Sequence, residues 1–341
     1  MLFPRVGRKQ PMLRITWWLV VAFLCLGITL HLFPFYFMLI TSFKSGQEVL
    51  QFPPTWWPHD ATIAGWRLVV SLVQGGNSAA ASLMDGPFWM FFLNSVQITF
   101  WVLVLGIPIT SLAAYANSKL QTGPFARWSF IFFIGTLMMP AALTLIPNYL
   151  LTRNFPFALP EVPGIPGNPD LVFPSVRIWD THWAVILPIV FQAFNFLLFK
   201  GFFDTIPNSV IQAARVDGGS EFNIFRRIVL PMSVPVYAVA IWTSFSGAWD
   251  QFLWPLVVLQ TPEKMPASVE IYLLLQKFTQ AGATNAEQAT AQAQQMQEIL
   301  AAGMSWNGLM VLGILQSLPV FIAFIVCREY LLRGIRLRGL K

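Results

Sequence analysis

Residues 212–231 read QAARVDGGSEFNIFRRIVLP, a short charged segment that separates two long apolar runs. A first helix, capped by Asn208 or Ser209, is predicted to run through Asp217, because Asn and Ser side chains accept hydrogen bonds from the free N–H groups of a first turn. The two adjacent glycines that follow can adopt left-handed backbone angles and end this helix. The segment therefore predicts a sharply turned pair of short helices.

The second helix of the pair is predicted to begin after Ser220, another capping residue type. Its side chains divide into two faces: Phe222, Phe225 and Val229 on one, Arg226 and Arg227 on the other. A helix of this kind lies at a membrane surface with its apolar face inward. A plain interfacial connector is the alternative, but it requires neither tandem Ala nor tandem Gly.

The composition predicts that the solvent around this chain is lipid. Hydrophobic residues make up 56% of the 341 residues and charged residues 11%, with a mean hydropathy of +0.61. Soluble domains carry about a quarter charged residues. Both cysteines, Cys25 and Cys327, lie inside apolar runs, which argues against a disulfide framework or a metal site.

Stretches without Asp, Glu, Lys or Arg mark the predicted membrane spans. Each can hold one helix of about 20 residues, the length that crosses the hydrocarbon core. The stretches are 15–43, 86–118, 128–152, 181–199, 228–249 and 299–327. Residues 251–262 are uncharged but too short to cross alone, and we assign them to the outer end of the fifth span. The fold class is therefore all-α, a polytopic integral membrane protein with six transmembrane helices.

The basic residues predict the orientation of these spans. With the N-terminus in the cytoplasm, 15 of the 21 Lys and Arg residues fall in inner segments, as the positive-inside rule requires. Both termini (1–14 and 333–341) and the loop 204–228 are then cytoplasmic, whereas 44–87, 153–180 and 281–303 face outward. The basic residues do not gather on one soluble face, so the net charge of +6 reflects orientation rather than nucleic-acid binding.

The outer segments differ in character. Residues 153–180 hold six prolines, which favour extended backbone, and 44–87 contain PPTWWP and GGNSAAAS. A helix outside the membrane is predicted over 285–302, with Thr284 and Glu287 as a capping box and Gly303 as its stop. An unpartnered insertion there is an equal alternative.

The turned segment resembles a motif of ATP-binding-cassette (ABC) importer permeases: Glu-Ala-Ala, three residues, Gly, nine residues, Ile, one residue, Leu-Pro. Here every element except the leading Glu is in register. In the family this loop forms a cytoplasmic coupling helix that docks on the ATPase subunit. The resemblance assigns ATPase coupling to Gln212, Ala213, Ala214, Asp217, Gly218, Ile228, Leu230 and Pro231.

The resemblance extends over most of residues 32–334 and is closest to the second permease subunit of maltose-type, sugar-transporting systems. FPFYFMLITSFKSGQEV, FLNSVQITF, LMMPAALTLIPNYLL and WDQFLWPLVVL all look like that branch. Departures are Gln212 in place of Glu, Arg328-Glu329 where the family tends to have Gln-Arg, the C-terminal tail, and the enlarged outer loops. The resemblance implies one transmembrane domain over 15–332.

The same resemblance implies a set of partners. These are a second permease subunit in a heterodimer, two ATPase subunits that bind ATP and Mg, an extracytoplasmic solute-binding protein, and the lipid of a bacterial or archaeal cytoplasmic membrane. The chain contains no Gly-x4-Gly-Lys-Ser/Thr phosphate loop, so it carries no cofactor and is not itself an enzyme. Nucleic acid is not an expected partner.

The cargo is predicted to be a sugar or oligosaccharide. Ionisable residues are scarce in the spans, and ion-coupled transporters usually need them there, whereas amides and aromatics are plentiful. Candidates for the substrate pathway, chosen by residue type and by position in the resembling segments, are Asn94, Asn148, Tyr149, Trp249, Asp250 and Trp254. The alternatives are that these residues pack helices, that the cargo is a glycerol phosphodiester, polyamine or acidic polysaccharide, or that the protein is a secondary transporter.

Overall fold

A computed structural model describes residues 11–74, 84–121, 123–153, 155, 176–281 and 305–336. Within these ranges the chain is helical, with one isolated antiparallel bridge between Phe155 and Val176. The chain divides into two compact units, the first formed by 1–83 and 277–315 and the second by 84–276 and 316–341. The predicted all-α class is confirmed for the part of the chain that the structure describes.

The first unit contains one long helix and a structured loop. Its helices are α1 (Pro11–Thr41), α2 (Gly46–Val49), α3 (Ala64–Gln74) and the first turns of the last helix, α15 (Trp306–Arg336). The Asn307 amide donates to the carbonyl of Lys44 at 3.0 Å, and the Trp66 indole donates to the Ser42 hydroxyl at 3.3 Å. These bonds fix the loop after α1 to the helices beside it.

The second unit is a helical bundle around one long helix. Its elements are α4 (Phe88–Tyr115) with a π-helical end (Ala116–Leu120), α5 (Pro124–Leu137), α6 (Ala141–Arg153), α7 (His182–Val190), α8 (Ala193–Phe203), α9 (Asn208–Val216), α10 (Glu221–Ile224), a π turn (Phe225–Val229), α11 (Leu230–Met232), α12 (Val234–Trp249), α13 (Leu253–Val258), a 3₁₀ turn (Pro262–Lys264) and the start of α14 (Ala267–Ala281). Helices α7, α8 and α12 all pack on α4.

The bundle is held by apolar packing and by buried amides. A cluster rich in phenylalanine joins the end of α4 to α8 and α12, and its buried members include Tyr115, Phe196, Phe199, Phe203, Ile211, Phe225 and Val229. The Asn195 amide, 2% exposed, donates to Gln192 at 2.9 Å and to the Ser244 hydroxyl at 2.7 Å. Asn195 thus packs helices together, as the general expectation for amides in spans requires.

The helices that could cross a membrane overlap the six uncharged stretches. Among the described residues, four qualify alone: Met12–Thr41, Phe88–Leu120, His182–Phe203 and Trp306–Tyr330. Two further pairs qualify only together, Pro124–Leu137 with Ala142–Arg153, bent by 106°, and Glu221–Met232 with Val234–Trp249, bent by 84°. The structure thus supports four to six spans, and the count of six stays a prediction.

Several boundaries differ from the sequence expectations. The fifth apolar helix ends at Trp249, and residues 251–262 form a loop with the separate helix α13 rather than an extension of that span. The helices α3 and α14 were not predicted, because their apolar positions are interrupted by polar and charged residues within the outer loops. The predicted outer helix over 285–302, its caps Thr284, Glu287 and Gly303, and most of 153–180 lie outside the described residues.

Candidate functional site

The first short helix of the loop 204–228 is confirmed, but its cap is not the predicted one. Helix α9 begins at Asn208, and Pro207 stands in the cap position without a side-chain hydrogen bond. The Asn208 side chain instead accepts a hydrogen bond from the Lys119 ammonium at 2.8 Å. The prediction of Asn208 or Ser209 as the cap was therefore wrong, because proline fixes the backbone at this position and a distant lysine uses the amide.

The end of α9 explains why two glycines stand together. The N–H of Gly218 donates to the carbonyl of Arg215 and that of Gly219 to the carbonyl of Ala214, both at 3.0 Å. This bond pair is the Schellman ending, which requires a left-handed residue at the position of Gly218, where φ is +78°. Of the two glycines, Gly218 alone has a positive φ. A Cβ at Gly219 would lie 2.8 Å from the Ala214 carbonyl oxygen, so Gly219 is required for close approach rather than for its backbone angles.

The second short helix begins as predicted but buries a different face. The Ser220 hydroxyl accepts from the N–H of Asn223 at 3.4 Å and caps α10. Phe225 and Val229 are buried, whereas Phe222 is 62% exposed and Ile224 is buried in its place. The predicted face was right for Phe225 and Val229 and wrong for Phe222, because Ile224 rather than Phe222 packs in the phenylalanine-rich cluster.

A carboxylate joins the two short helices to the end of α4. Glu221 accepts from the Tyr115 hydroxyl at 2.9 Å and from the Arg215 guanidinium at 2.6 Å. Arg215 also donates to the carbonyl of Lys119 at 3.2 Å. The hydrogen bond to Glu221 raises the pKa of Arg215 above its usual value, which favours the charged guanidinium. The turn between α9 and α10 is therefore held against α4 by hydrogen bonds to the Glu221 carboxylate.

A second polar group ties the entry of the loop to the same helix end. The Lys119 ammonium donates to the carbonyl of Ile206 at 2.8 Å as well as to Asn208. Asp204 accepts from the Ser118 hydroxyl at 2.6 Å and pairs with Lys200 at 2.8 Å. Entry and exit of α9 are thus both anchored on the π-helical end of α4, Ala116–Leu120.

Helix α9 presents one face to the bundle and leaves the other open. Ile211 is buried in the phenylalanine-rich cluster, and Ala214 packs against it. Gln212 and Ala213 are exposed, and Val216 is 87% exposed. An apolar side chain held outward on a braced helix is a surface that a partner can cover.

The remaining motif positions build the exit from the loop. Ile228 packs against the phenylalanine-rich cluster, and Leu230 and Pro231 open a three-residue helix that ends at Met232, with Ser233 as its C-cap. The chain bends there by 84° into α12, which has a proline at its second position. Proline cannot donate to the carbonyl four residues before it, which accounts for a bend at this place.

Among the six predicted pathway residues, three donate hydrogen bonds to backbone carbonyls of other segments. The Trp249 indole, in a side chain 2% exposed, donates to the carbonyl of Gln316 at 2.8 Å, and the Trp254 indole donates to that of Ala184 at 3.1 Å. The Asn94 amide donates to the carbonyls of Glu263 at 2.7 Å and Met265 at 3.0 Å.

The other three pathway candidates are half-buried or exposed. Tyr149 packs beside Trp254 in a second apolar cluster and lies 5.7 Å below the Arg153 guanidinium. Asn148 is half-buried in α6, and Asp250 is exposed at the end of α12. A role in the pathway stays a prediction for all six residues.

The residues that anchor the loop and that sequence reasoning missed are Tyr115, Lys119, Arg215 and Glu221. Arg215 and Glu221 stand within the quoted segment, six residues apart, and their opposite charges were a visible signal. Tyr115 and Lys119 lie about a hundred residues earlier in the chain and carry no local signal, because only the packing of α4 on α8 brings them to the loop.

Comparisons with known proteins agree with this architecture. The family described as "binding-protein-dependent transport system inner membrane component" matches residues 106–337, more than half of the chain. The sn-glycerol-3-phosphate transport system permease protein UgpE of Salmonella choleraesuis is 28% identical over 236 residues, 69% of this chain and 74% of that protein. The protein of the same name in Escherichia coli O1:K1 / APEC is 28% identical over 245 residues, 71% of this chain and 77% of that one.

The fold also resembles a solved structure. A chain in the crystal structure of a bacterial ABC transporter involved in the import of the acidic polysaccharide alginate matches with a TM-score of 0.68 and 22% identity, over 94% of this chain and 98% of that chain. At this identity the match concerns the fold. The family match covers more than half of the chain, and the apolar helices and the relatives agree with it. The chain therefore belongs to the binding-protein-dependent transport system inner membrane components, as a multi-pass membrane permease.

Proposed function

We propose that this chain is one permease subunit of an ATP-driven importer that moves a sugar-type solute into the cytoplasm. The observation that carries the proposal is the loop 204–228: a short helix, turned at Gly218 and braced on Tyr115 and Lys119, holds Val216 outward. A separate ATPase subunit covers this face, and ATP and Mg bind in that subunit. Gln212 and Ala213 belong to the same contact.

The coupling follows from the way the loop is anchored. Since both ends of α9 are bonded to the end of α4, a force on α9 is transmitted to α4 rather than absorbed in a slack connector. Helix α4 packs along α7, α8 and α12, so the bundle responds as one body. Closure of the ATPase pair then changes the arrangement of the two permease subunits, a rigid-body transition between two states.

The docking face is tested by adding one charge to it. Val216→Asp would place a carboxylate in an apolar contact, and Asn223→Asp places the same charge just beyond the turn, on an exposed residue of α10. We expect Val216→Asp to lose the ATPase subunit during co-purification of the complex, with normal membrane insertion, and Asn223→Asp to retain it. Retention of the ATPase by Val216→Asp would contradict the proposal.

The orientation of the loop is tested independently of transport. Both cysteines, Cys25 and Cys327, are free and are first replaced by serine. A cysteine at Asn223 is then expected to resist an impermeant thiol reagent in intact cells, whereas one at Ala61 in the outer loop reacts. Labelling of the Asn223 site from outside would overturn a cytoplasmic loop.

The cargo class divides into two candidates. A sugar or oligosaccharide fits the neutral amides and aromatics of the spans, while the names of the relatives and of the matching structure, sn-glycerol-3-phosphate and alginate, favour an anionic solute. The complete transporter with its solute-binding protein, in lipid nanodiscs, distinguishes them: stimulation of ATP hydrolysis by neutral oligosaccharides supports the first, and stimulation by sugar phosphates or acidic oligosaccharides alone supports the second.

A further inference from the structure

The loop after α1 carries an exposed, uncharged and strongly apolar tip. Residues 49–58 read VLQFPPTWWP, without a charged side chain between Glu48 and His59. Phe52 is 94% exposed, Trp56 and Trp57 are 69% exposed, and Leu50 is 65% exposed. Exposing this tip to water costs about 25 cal/mol of free energy for each Å² of apolar surface. The cost would be avoided if the tip lay in a membrane.

The tip turns back along α1 instead of continuing away from its end. The Tyr36 hydroxyl donates to the carbonyl of Trp56 at 3.2 Å, and the rings of Phe33 and Trp56 lie 5.8 Å apart. Six residues later the N–H of Thr62 donates to the carbonyl of Phe43 at 2.7 Å, beyond the end of α1. Phe33 lies eight residues before the last residue of α1, about 12 Å at 1.5 Å per residue. The chain therefore descends along α1 to Trp56 and rises again to Thr62.

The depth of Phe33 follows from the length of α1. The helix runs from Pro11 to Thr41, and the uncharged part begins after Arg14. A hydrocarbon core of about 30 Å is crossed by about 20 residues, so the core ends near Pro34. Phe33 and Tyr36 therefore stand at the far boundary of the bilayer, the level at which Trp and Tyr are enriched in membrane proteins.

We propose that residues 50–57 form an interfacial anchor, with Leu50, Phe52, Trp56 and Trp57 inserted at the boundary between lipid headgroups and acyl chains of the leaflet at the end of α1. The occupant of this surface is lipid. The anchor rests on the membrane-spanning position of α1, not on the identity of the cargo or on ATPase coupling.

Polar groups on either side of the tip fix its conformation and bond the nearest charges internally. Glu48, 5% exposed, accepts from the Thr55 hydroxyl at 2.7 Å and from the N–H groups of His59 at 3.0 Å and Asp60 at 3.4 Å. The bond from Thr55 is the main cause that lowers the pKa of Glu48 to about 2. The buried Lys44 ammonium donates to the carbonyl of Thr55 at 2.5 Å. The tip is thus fixed before it meets lipid, which reduces the entropic cost of insertion.

Spin labels on the assembled transporter in lipid nanodiscs test the anchor. In a background without Cys25 and Cys327, Phe52→Cys and Trp57→Cys place labels on the tip, and Asp60→Cys places one on the ascending stem. Because oxygen partitions into lipid and a nickel chelate stays in water, we expect the labels at 52 and 57 to relax faster with oxygen than with the chelate. The label at 60 is expected to show the reverse order.

Two results would overturn the proposal. Access of the chelate to positions 52 and 57 would place the tip in water rather than in lipid. Protection of both positions from oxygen and from the chelate would place them against the second permease subunit. Two separate tip positions keep the test valid if one variant does not assemble, and neither readout depends on transport, so failure of the anchor and failure of the proposed function are distinguishable.

Discussion

The two ends of α4 are built on different principles. At the end near Asn94 and Ser95, polar side chains form hydrogen bonds with the backbone of residues 263–267. Asn94 donates to the carbonyls of Glu263 and Met265, and the Ser95 hydroxyl accepts from the N–H of Ala267 at 2.9 Å. At the other end Tyr115 and Lys119 bond to the loop 204–228, and that loop turns Val216 outward. We call the first the closed end of α4, because its polar groups are bonded within the chain, and the second the open end, because it leaves an apolar side chain exposed.

A half-buried carboxylate shows how fully the closed end is bonded. Asp180 accepts from the N–H groups of Gln260 at 2.8 Å and Thr261 at 3.0 Å, from the Thr261 hydroxyl at 2.5 Å and from Lys264 at 3.0 Å. Burial alone would raise the pKa of Asp180, but the bonds led by that from the Thr261 hydroxyl lower it on balance. A group satisfied in this way has little capacity left for a ligand or a partner, in contrast to the open face of α9.

The largest effect is expected from truncating Trp249 at the closed end. Its ring stacks on Phe245 with centroids 5.7 Å apart and meets the edge of Phe92 at 5.2 Å. Loss of a buried aromatic side chain costs about 3–5 kcal/mol, so Trp249→Ala should fail to assemble, as measured by recovery of the complex on size-exclusion chromatography. Trp249→Phe keeps the packing, loses one hydrogen bond worth about 1 kcal/mol, and is the matched control.

The outcome for Trp249→Ala also decides between the two interpretations of this residue. Normal assembly together with loss of cargo-stimulated ATP hydrolysis would show a pathway role and would contradict the description of this end as closed. Asn148, half-buried in α6, is then the sharper probe of the pathway, since Asn148→Ala removes no large side chain.

The next effect concerns the turn at the open end. Gly218 has φ of +78° and Gly123 has φ of +92°, and a Cβ would meet nothing within 4 Å at either residue. A left-handed residue with a Cβ costs about 1–2 kcal/mol. Gly218→Val should therefore leave the subunit inserted but separate ATP hydrolysis from cargo. Gly123, with φ of +92° and ψ of −158°, lies in a different positive-φ region that also excludes side chains, so Gly123→Val strains the backbone outside the loop 204–228 and should remain coupled. Equal coupling in the two variants would remove the turn from the mechanism.

The closed and open ends also differ in how well the sequence predicts them. Local signals were sufficient for α9, for the left-handed angle at Gly218 and for the cap at Ser220, because each depends on residues within one turn. The outward face of α9 and the buried position of Ile224 depend on packing in the cluster formed with α4 and α8, which no local pattern carries. The same limit applies to Trp254 and Asn94, whose residue types suit a sugar pathway but whose donors bond to carbonyls from distant segments.

A smaller effect is expected where the open end meets α4. Tyr115→Phe removes one hydrogen bond to the Glu221 carboxylate and leaves the ring packing on Phe203 and Phe225 intact. Because Glu221 is partly exposed and keeps Arg215, we expect a cost of about 1 kcal/mol. Cargo-stimulated ATP hydrolysis should fall in part while basal hydrolysis is unchanged. Glu221→Gln, which still accepts from Tyr115, should fall less; a larger loss there would show that the charge of Glu221, rather than the bond to α4, fixes the turn.

The smallest effect is expected at Gln212, where this chain departs from the motif it resembles. Gln212 is exposed on the open face of α9, and its amide has the shape and hydrogen-bonding reach of a glutamate without the charge. A carboxylate there would face Arg215 one turn later, and such pairs contribute only about 0.2–0.5 kcal/mol. Gln212→Glu should therefore be nearly neutral in cargo-stimulated ATP hydrolysis, whereas Gln212→Leu, similar in size but unable to hydrogen-bond, should weaken it. If Gln212→Leu coupled as well as the native chain, contact at this face would rest on Ala213 and Val216 alone.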